Sequence, residues 1–308
     1  MNHQIIGFLF LVSVAISSLG LNTACQAGPP DLAQLLSYQA NVPFNQKVVG
    51  TQEKQDVIIR DIVFDSIAGR KPTQAYWVLP KTAAAPYAGI LFVHWYAPGS
   101  SHSNRTEFLK EAQELAGQGA VSLLVSTMWS DSQWFYERKS AEDYQNSIKQ
   151  TIELRRALDV LLAQPNVDPK RIGYVGHDFG AMFGATLAGA DVRPKAYVLI
   201  AGTGRYFDWY GFGAADEIPQ GEALNKYRNN LSSIDPVNAL KTAKASFFFQ
   251  FGEKDSYTPR DNFTEFYNAA PDPKRIATYP SGHEMAAGNI KQDRDVWLAD
   301  QLGLATGK

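Results

Sequence analysis

The chain has 308 residues, 45% of them hydrophobic, with 29 Lys and Arg against 31 Asp and Glu and a formal net charge of -2. So apolar and weakly charged a composition has ample surface to bury, which excludes intrinsic disorder. There is no basic excess to neutralise phosphates, which argues against nucleic acid as a partner, and the length fits one large domain or two small ones.

The first element is a targeting segment. From Ile5 to Leu21 the chain is almost wholly apolar, a run shorter than the roughly 20 residues a spanning helix needs, and the small residues Ala24, Cys25 and Ala27 follow it. This pattern reads as a secretory signal peptide over residues 1–27, cut after Ala27, with the remainder exported to the periplasm or the extracellular space. No Lys or Arg stands ahead of the apolar run. Leu21-Asn22-Thr23-Ala24-Cys25 also looks like a degraded bacterial lipobox, in which Cys25 would be lipidated and would anchor the protein to a membrane without spanning it. Cys25 is the only cysteine. That excludes an intramolecular disulfide, a cysteine nucleophile and a thiolate metal site.

Residues 28–308 contain no repeat, low-complexity tract or Pro/Gly/Ser linker, and are read as one domain. Val57–Phe64 is β-branched and partly alternating, and Ala75–Leu79 is placed to pair with it at one edge of a sheet. Gly89–Val93 and Ala120–Val125 are short, continuous apolar runs of the kind buried on both faces, with a helical stretch from Glu107 to Leu115 between them. Asp143–Ala163 is the strongest helix, ended by Pro165. Strands are expected at Arg171–Val175, Lys195–Ala201, Ser246–Phe251 and Arg275–Tyr279. Helices are expected at Phe179–Ala190, Arg260–Asn268 and Asn289–Leu302. Repeated βα units imply an α/β fold with a mainly parallel sheet and helices on both faces. The long connection 203–240, with one helical piece at Glu222–Asn229, is read as a short lid over the strand ends.

One segment carries the chemistry. In Arg171-Ile172-Gly173-Tyr174-Val175-Gly176-His177-Asp178-Phe179-Gly180-Ala181 a β-branched strand runs into Gly-x-x-x-Gly and then a helix of small residues. This is the pattern of a nucleophile elbow, a tight turn that lifts its central side chain above the sheet. Here the sequence resembles the α/β-hydrolase superfamily over roughly residues 55–303. The flavour of Asp168-Pro169-Lys170-Arg171-Ile172 is similar to the dienelactone hydrolase and prolyl oligopeptidase-like branches. Most of that superfamily has serine at the centre of the elbow, where this chain has Asp178. His177-Asp178-Phe179 resembles the His-Asp-aromatic form of epoxide hydrolases and dehalogenases. A carboxylate attacks ordinary esters poorly but displaces leaving groups at saturated carbon, and water deprotonated by a histidine then hydrolyses the resulting ester.

The resemblance implies further members in a set order. Gly252-Glu253-Lys254-Asp255-Ser256-Tyr257-Thr258-Pro259 matches the superfamily's acid loop, with Asp255 at the acid position. Pro280-Ser281-Gly282-His283-Glu284-Met285 matches its histidine loop, so His283 would be the general base, oriented by Asp255. Val93-His94-Trp95-Tyr96-Ala97-Pro98-Gly99 matches the anion-stabilising loop. The backbone N–H groups of Trp95 and Phe179 are the expected oxyanion donors, and the Trp95 indole is a candidate for the leaving group. His94 is read as structural. Trp129, Tyr206 and Tyr210 are candidate substrate-binding residues, the two tyrosines as donors to an epoxide oxygen. Glu137-Arg138-Lys139 looks like a solvated charge run. No metal-ligand pattern or phosphate loop is present, so no cofactor is expected, and the partner is a small organic molecule. The expectation is an exported hydrolase. The competing one is a binding member of the fold that has lost its serine.

Overall fold

Apolar β-branched runs become strands, and the segments of helical period between them become helices, in the computed structural model, which describes residues 31–305. The signal peptide expected at 1–27 and the lipidation expected at Cys25 lie outside the described residues. Strands β1 (Lys47–Glu53), β2 (Val57–Phe64), β3 (Thr73–Pro80), β4 (Tyr87–Val93), β5 (Ala120–Val125), β6 (Val167–His177), β7 (Ala196–Ile200), β8 (Ser246–Gly252) and β9 (Lys274–Tyr279) join one sheet, in the order β1-β2-β3-β5-β4-β6-β7-β8-β9. From β5 to β9 every pairing is parallel, as expected of βα units. The leading edge is antiparallel and has three strands rather than the expected pair. The added strand, β1, is exposed along its whole length. Its Lys-Val-Val-Gly-Thr-Gln-Glu sequence therefore carries no burial pattern by which to recognise it.

Among the described residues ten α-helices accompany the strands: α1 (Leu32–Leu35), α2 (Leu109–Gly117), α3 (Trp134–Glu137), α4 (Ser140–Ala163), α5 (Phe179–Ala188), α6 (Phe207–Tyr210), α7 (Gly221–Ser232), α8 (Pro236–Ala239), α9 (Arg260–Ala269) and α10 (Gly288–Leu302). The central strands are buried on both faces, and the period-2 alternation of their side chains divides them between two apolar layers. In β4, Leu91 and Val93 pack on one side with Leu154, Leu158 and Leu161 of α4 and Phe183 of α5. Ile90 and Phe92 pack on the other side with Leu115 of α2 and Leu298 of α10. Each such fully buried side chain contributes roughly 1.5–3 kcal/mol, so both helical layers are firmly seated. The chain ahead of β1 is tied to α4 by Arg156, which is 1% exposed and donates to the carbonyls of Ala40, Val42 and Pro43.

Between β7 and β8 the chain runs through α6, α7 and α8, the region expected as a lid. Its anchor is Arg138, expected to be solvated but only 6% exposed. The guanidinium pairs with Asp143 and donates to the carbonyls of Tyr210 and Gly213, so it fastens the lid to the start of α4. The reason is local: α3 ends at Glu137 and Arg138 turns inward as extended backbone, where a run of three charges gives no hint of direction. Among the described residues, no helix is long and apolar enough to cross a membrane.

Candidate active site

Asp178 stands between β6 and α5 with φ 59° and ψ -119°, a region that residues with a side chain rarely occupy. The turn is tight enough to require the flanking glycines. A Cβ at position 176 would meet the Gly180 carbonyl oxygen at 2.3 Å, and one at position 180 would meet the Val93 carbonyl oxygen at 2.2 Å. Burial by those neighbours and the adjoining loops leaves Asp178 only 4% exposed.

The loops after β8 and β9 bring the other two expected residues to it. Asp255 Oδ1 accepts from the backbone N–H groups of Tyr257 (2.8 Å) and Thr258 (3.1 Å), which fixes the carboxylate. Its Oδ2 accepts from His283 Nδ1 at 2.8 Å, and His283 Nε2 lies 3.7 Å from Asp178 Oδ1. Burial works against charge on Asp255, but the hydrogen bond from His283, its positive charge and the two backbone donors hold the carboxyl below the usual carboxylate range. Burial likewise opposes charge on His283. Attraction to the carboxylates of Asp178 and Asp255, with the hydrogen bond to Asp255, outweighs it and pushes the imidazole up to about 10.

The anion-stabilising loop is offset by one residue from expectation. The Trp95 backbone N–H donates to Glu107 Oε2 at 2.7 Å, so it is not free for an oxyanion. The next N–H, that of Tyr96, donates to Asp178 Oδ2 at 2.7 Å. Phe179 opens α5, where a helix N–H has no intrahelical partner. Tyr96 and Phe179 are thus the candidate donor pair. Glu107 also takes a 2.6 Å hydrogen bond from His177 Nδ1, and His177 Nε2 lies 2.8 Å from the His283 carbonyl oxygen. Both ring nitrogens of His177 therefore face acceptors. The Trp95 ring stacks on His177 (centroids 5.0 Å apart), and its buried Nε1–H has no partner among the described residues. His94 is buried, its Nδ1 on the Trp95 carbonyl and its Nε2 on Ser130, and burial pushes it down to about 4. It shapes the loop as a neutral ring.

A cavity of about 450 Å³ opens over this constellation, with Trp95, Tyr96, Phe135, Phe179, Trp209 and Phe212 among its walls and Asp178 and His283 at its base. Three expected lining residues are elsewhere. Trp129 is fully buried, with its indole N–H on the His94 carbonyl. Tyr206 and Tyr210 are fully buried too, with their hydroxyls bonded to Thr186 and Ser147. Burial raises both phenols far above the ordinary range, so neither offers a proton to the cavity. The lid tyrosines face helices α5 and α4, and Trp209 and Phe212 of the same segment face the cavity instead. Tyr257 and Glu284 also line it, and both sit in the loops that carry Asp255 and His283, two residues and one residue beyond them. Glu107 had no such signal, because it lies in an ordinary polar stretch before α2. Among the described residues no group of three or more His, Cys, Asp or Glu is arranged to hold a metal ion.

No protein-family model matches the sequence, and a comparison with curated protein sequences finds no significant match. Solved structures do match. An acetyl xylan esterase from Paenibacillus sp. R4 superposes with a TM-score of 0.68 at 20% identity, over 88% of this chain and 93% of that one. Acetyl xylan esterase 1 from Thermoanaerobacterium sp. JW/SL YS485 gives 0.66 at 18% identity, over 88% and 93%. A protein described as a dienelactone hydrolase from Klebsiella pneumoniae subsp. pneumoniae MGH 78578 gives 0.57 at 16%, over 81% and 99%. With the strand order above, these likenesses define the α/β-hydrolase fold, in the company of esterases and a dienelactone hydrolase.

Proposed function

We propose that the protein is a hydrolase in which Asp178 is the nucleophile, His283 the base and Asp255 its orienting acid. The observation that carries this reading is the division of labour between the two oxygens of Asp178: Oδ2 rests on the Tyr96 N–H while Oδ1 faces His283 Nε2. Oδ1 is then placed to attack an electrophilic carbon. The bond from that carbon to its leaving group breaks with the electron pair departing on the leaving group. The product is an ester of Asp178.

Water then adds to the Asp178 Cγ, its proton passing to His283 Nε2, and the tetrahedral oxyanion develops on Oδ2 against the N–H groups of Tyr96 and Phe179. Collapse expels the alcohol, which takes the proton back from His283, and leaves Asp178 as a carboxylic acid with one oxygen from water; that acid then passes its remaining proton to His283, restoring the resting carboxylate and imidazolium. Esterification removes the charge of Asp178, one of the two carboxylates that raise His283. The imidazole therefore becomes a usable base at the step that needs one, after giving up its resting proton to the departing group or to solvent.

Structures sharing this fold are named as acetyl xylan esterases, which would place an ester carbonyl in the cavity. Carboxylate attack on an ester yields a reactive anhydride, so Asp178 favours saturated carbon, as in an epoxide or a carbon–halogen bond. Export by way of residues 1–27, with or without a lipid on Cys25, is part of the proposal and rests on the apolar run Ile5–Leu21.

Turnover of pooled epoxides, haloalkanes and activated esters in ¹⁸O-water tests the mechanism. The peptide containing Asp178 should gain the label over repeated cycles, and His283→Gln should accumulate the covalent ester. Turnover that survives Asp178→Ala would overturn the nucleophile assignment, and inertness toward every class would identify a binding protein.

A further inference from the structure

The charges around the cavity are one-sided. Its lining includes the carboxylates of Asp178 and Glu284, and among the described residues that line it His283 is the only basic side chain, with no lysine or arginine. That imidazole is already held between Asp178 and Asp255. Arg138 lies 4.7 Å from the centroid of the Phe135 ring and is committed to Asp143. Beside Ala97 and Pro98, the remaining walls are mainly aromatic, among them Trp95, Tyr96, Phe135, Trp209, Phe212 and Tyr257. Phe212 and Tyr257 are 77% and 63% exposed, so rings continue from the base of the cavity out to its mouth.

Aromatic faces carry negative electrostatic potential and attract cations, most strongly where water is displaced. A surplus of carboxylates adds to that field, and low-dielectric walls focus it. An anionic group entering the cavity would find no arginine fork or lysine to replace its hydration, and would meet Glu284 at the rim.

We propose that the cavity selects a positively charged small molecule with an apolar body, and rejects acids. Haloacids and carboxylate-bearing lactones are then excluded as substrates, and a quaternary or protonated amine beside the reacting carbon is favoured. The proposal takes the cavity to be the substrate site of the hydrolase described above, but its test does not depend on turnover.

Binding of three unreactive probes of one aryl frame to the wild-type protein is measured by calorimetry: benzyltrimethylammonium, benzyl alcohol and phenylacetate. The cation should bind at least tenfold more tightly than the acid, a difference of about 1.4 kcal/mol, with the alcohol between them. Glu284→Lys should narrow that ratio severalfold, and Phe212→Ala should weaken the cation more than the alcohol. Phenylacetate binding as tightly as the cation, or no binding by any probe, would overturn the proposal. Since none of the probes reacts, those results leave the assignment of Asp178 to be judged by its isotope label alone.

Discussion

At the scale of single residues, the site is governed by one imidazole held between two carboxylates. His283 holds its proton up to about 10, whereas an ordinary histidine releases it near 6.5. A proton bound more tightly in the folded than in the unfolded chain stabilises the fold in full below about pH 6.5. That contribution fades as pH rises, and is lost above about pH 10. Asp178→Asn removes one of the two charges responsible, so the imidazole should titrate at lower pH, and the loss of stability, still beginning near pH 6.5, should be smaller and complete at lower pH. Following the His283 ring protons by NMR across pH 5–11 measures both proteins directly. An unchanged midpoint in the variant would mean that Asp178 is not what holds the proton. The same residues show how far motif reading reaches. Asp178, Asp255 and His283 are legible because each follows a strand in a recognisable turn. The donor N–H belongs to Tyr96 rather than Trp95 because Glu107, far along the loop, captures the earlier one. A contact between a backbone group and a distant side chain leaves no trace in local sequence.

At the scale of elements, strands buried on both faces were the most legible, since β4, β5, β7 and β8 are continuous apolar runs. The exposed strand β1 was not, and neither was the direction in which the lid's aromatics face. Tyr206 and Tyr210 point into the core, while Trp209 and Phe212, on the other side of a single short helical turn, reach the cavity. Which side goes inward is decided by what lies beneath. Tyr210 finds Ser147 of α4, and Arg138 fixes the Tyr210 carbonyl. Burial raises Asp143, and Arg138 and the Tyr227 hydroxyl offset only part of that rise. Removing the guanidinium alone would strand a buried carboxylate. Arg138→Leu should therefore cost about 3–5 kcal/mol in denaturant unfolding and loosen the wall that Trp209 and Phe212 form. Pairing it with Asp143→Leu should recover a large part of that loss. A single variant as stable as the parent would show that the lid is fastened by its aromatics alone.

At the scale of the whole molecule, composition set the frame. A near-neutral, apolar chain with a single cysteine must be held by its core, and the two apolar layers on either side of one sheet supply it. The strand order has a consequence for the order in which the fold and the candidate site assemble. Tyr96 and Asp178 are 82 residues apart, and His177 and His283 are 106 apart, yet each pair must meet within hydrogen-bond distance. Helices such as α4 close on local contacts and can form early. The constellation waits for the slowest loop closures, ending with the turn after β9 that delivers His283. On dilution from denaturant, circular dichroism should therefore recover ahead of cavity binding and turnover, which should return together in the last phase. Turnover regained in step with helix would mean that the distant loops meet early. If the late phase is found, the period between helix formation and activity is when the half-built sheet, its next parallel strand not yet in place, is open to mispairing with other chains.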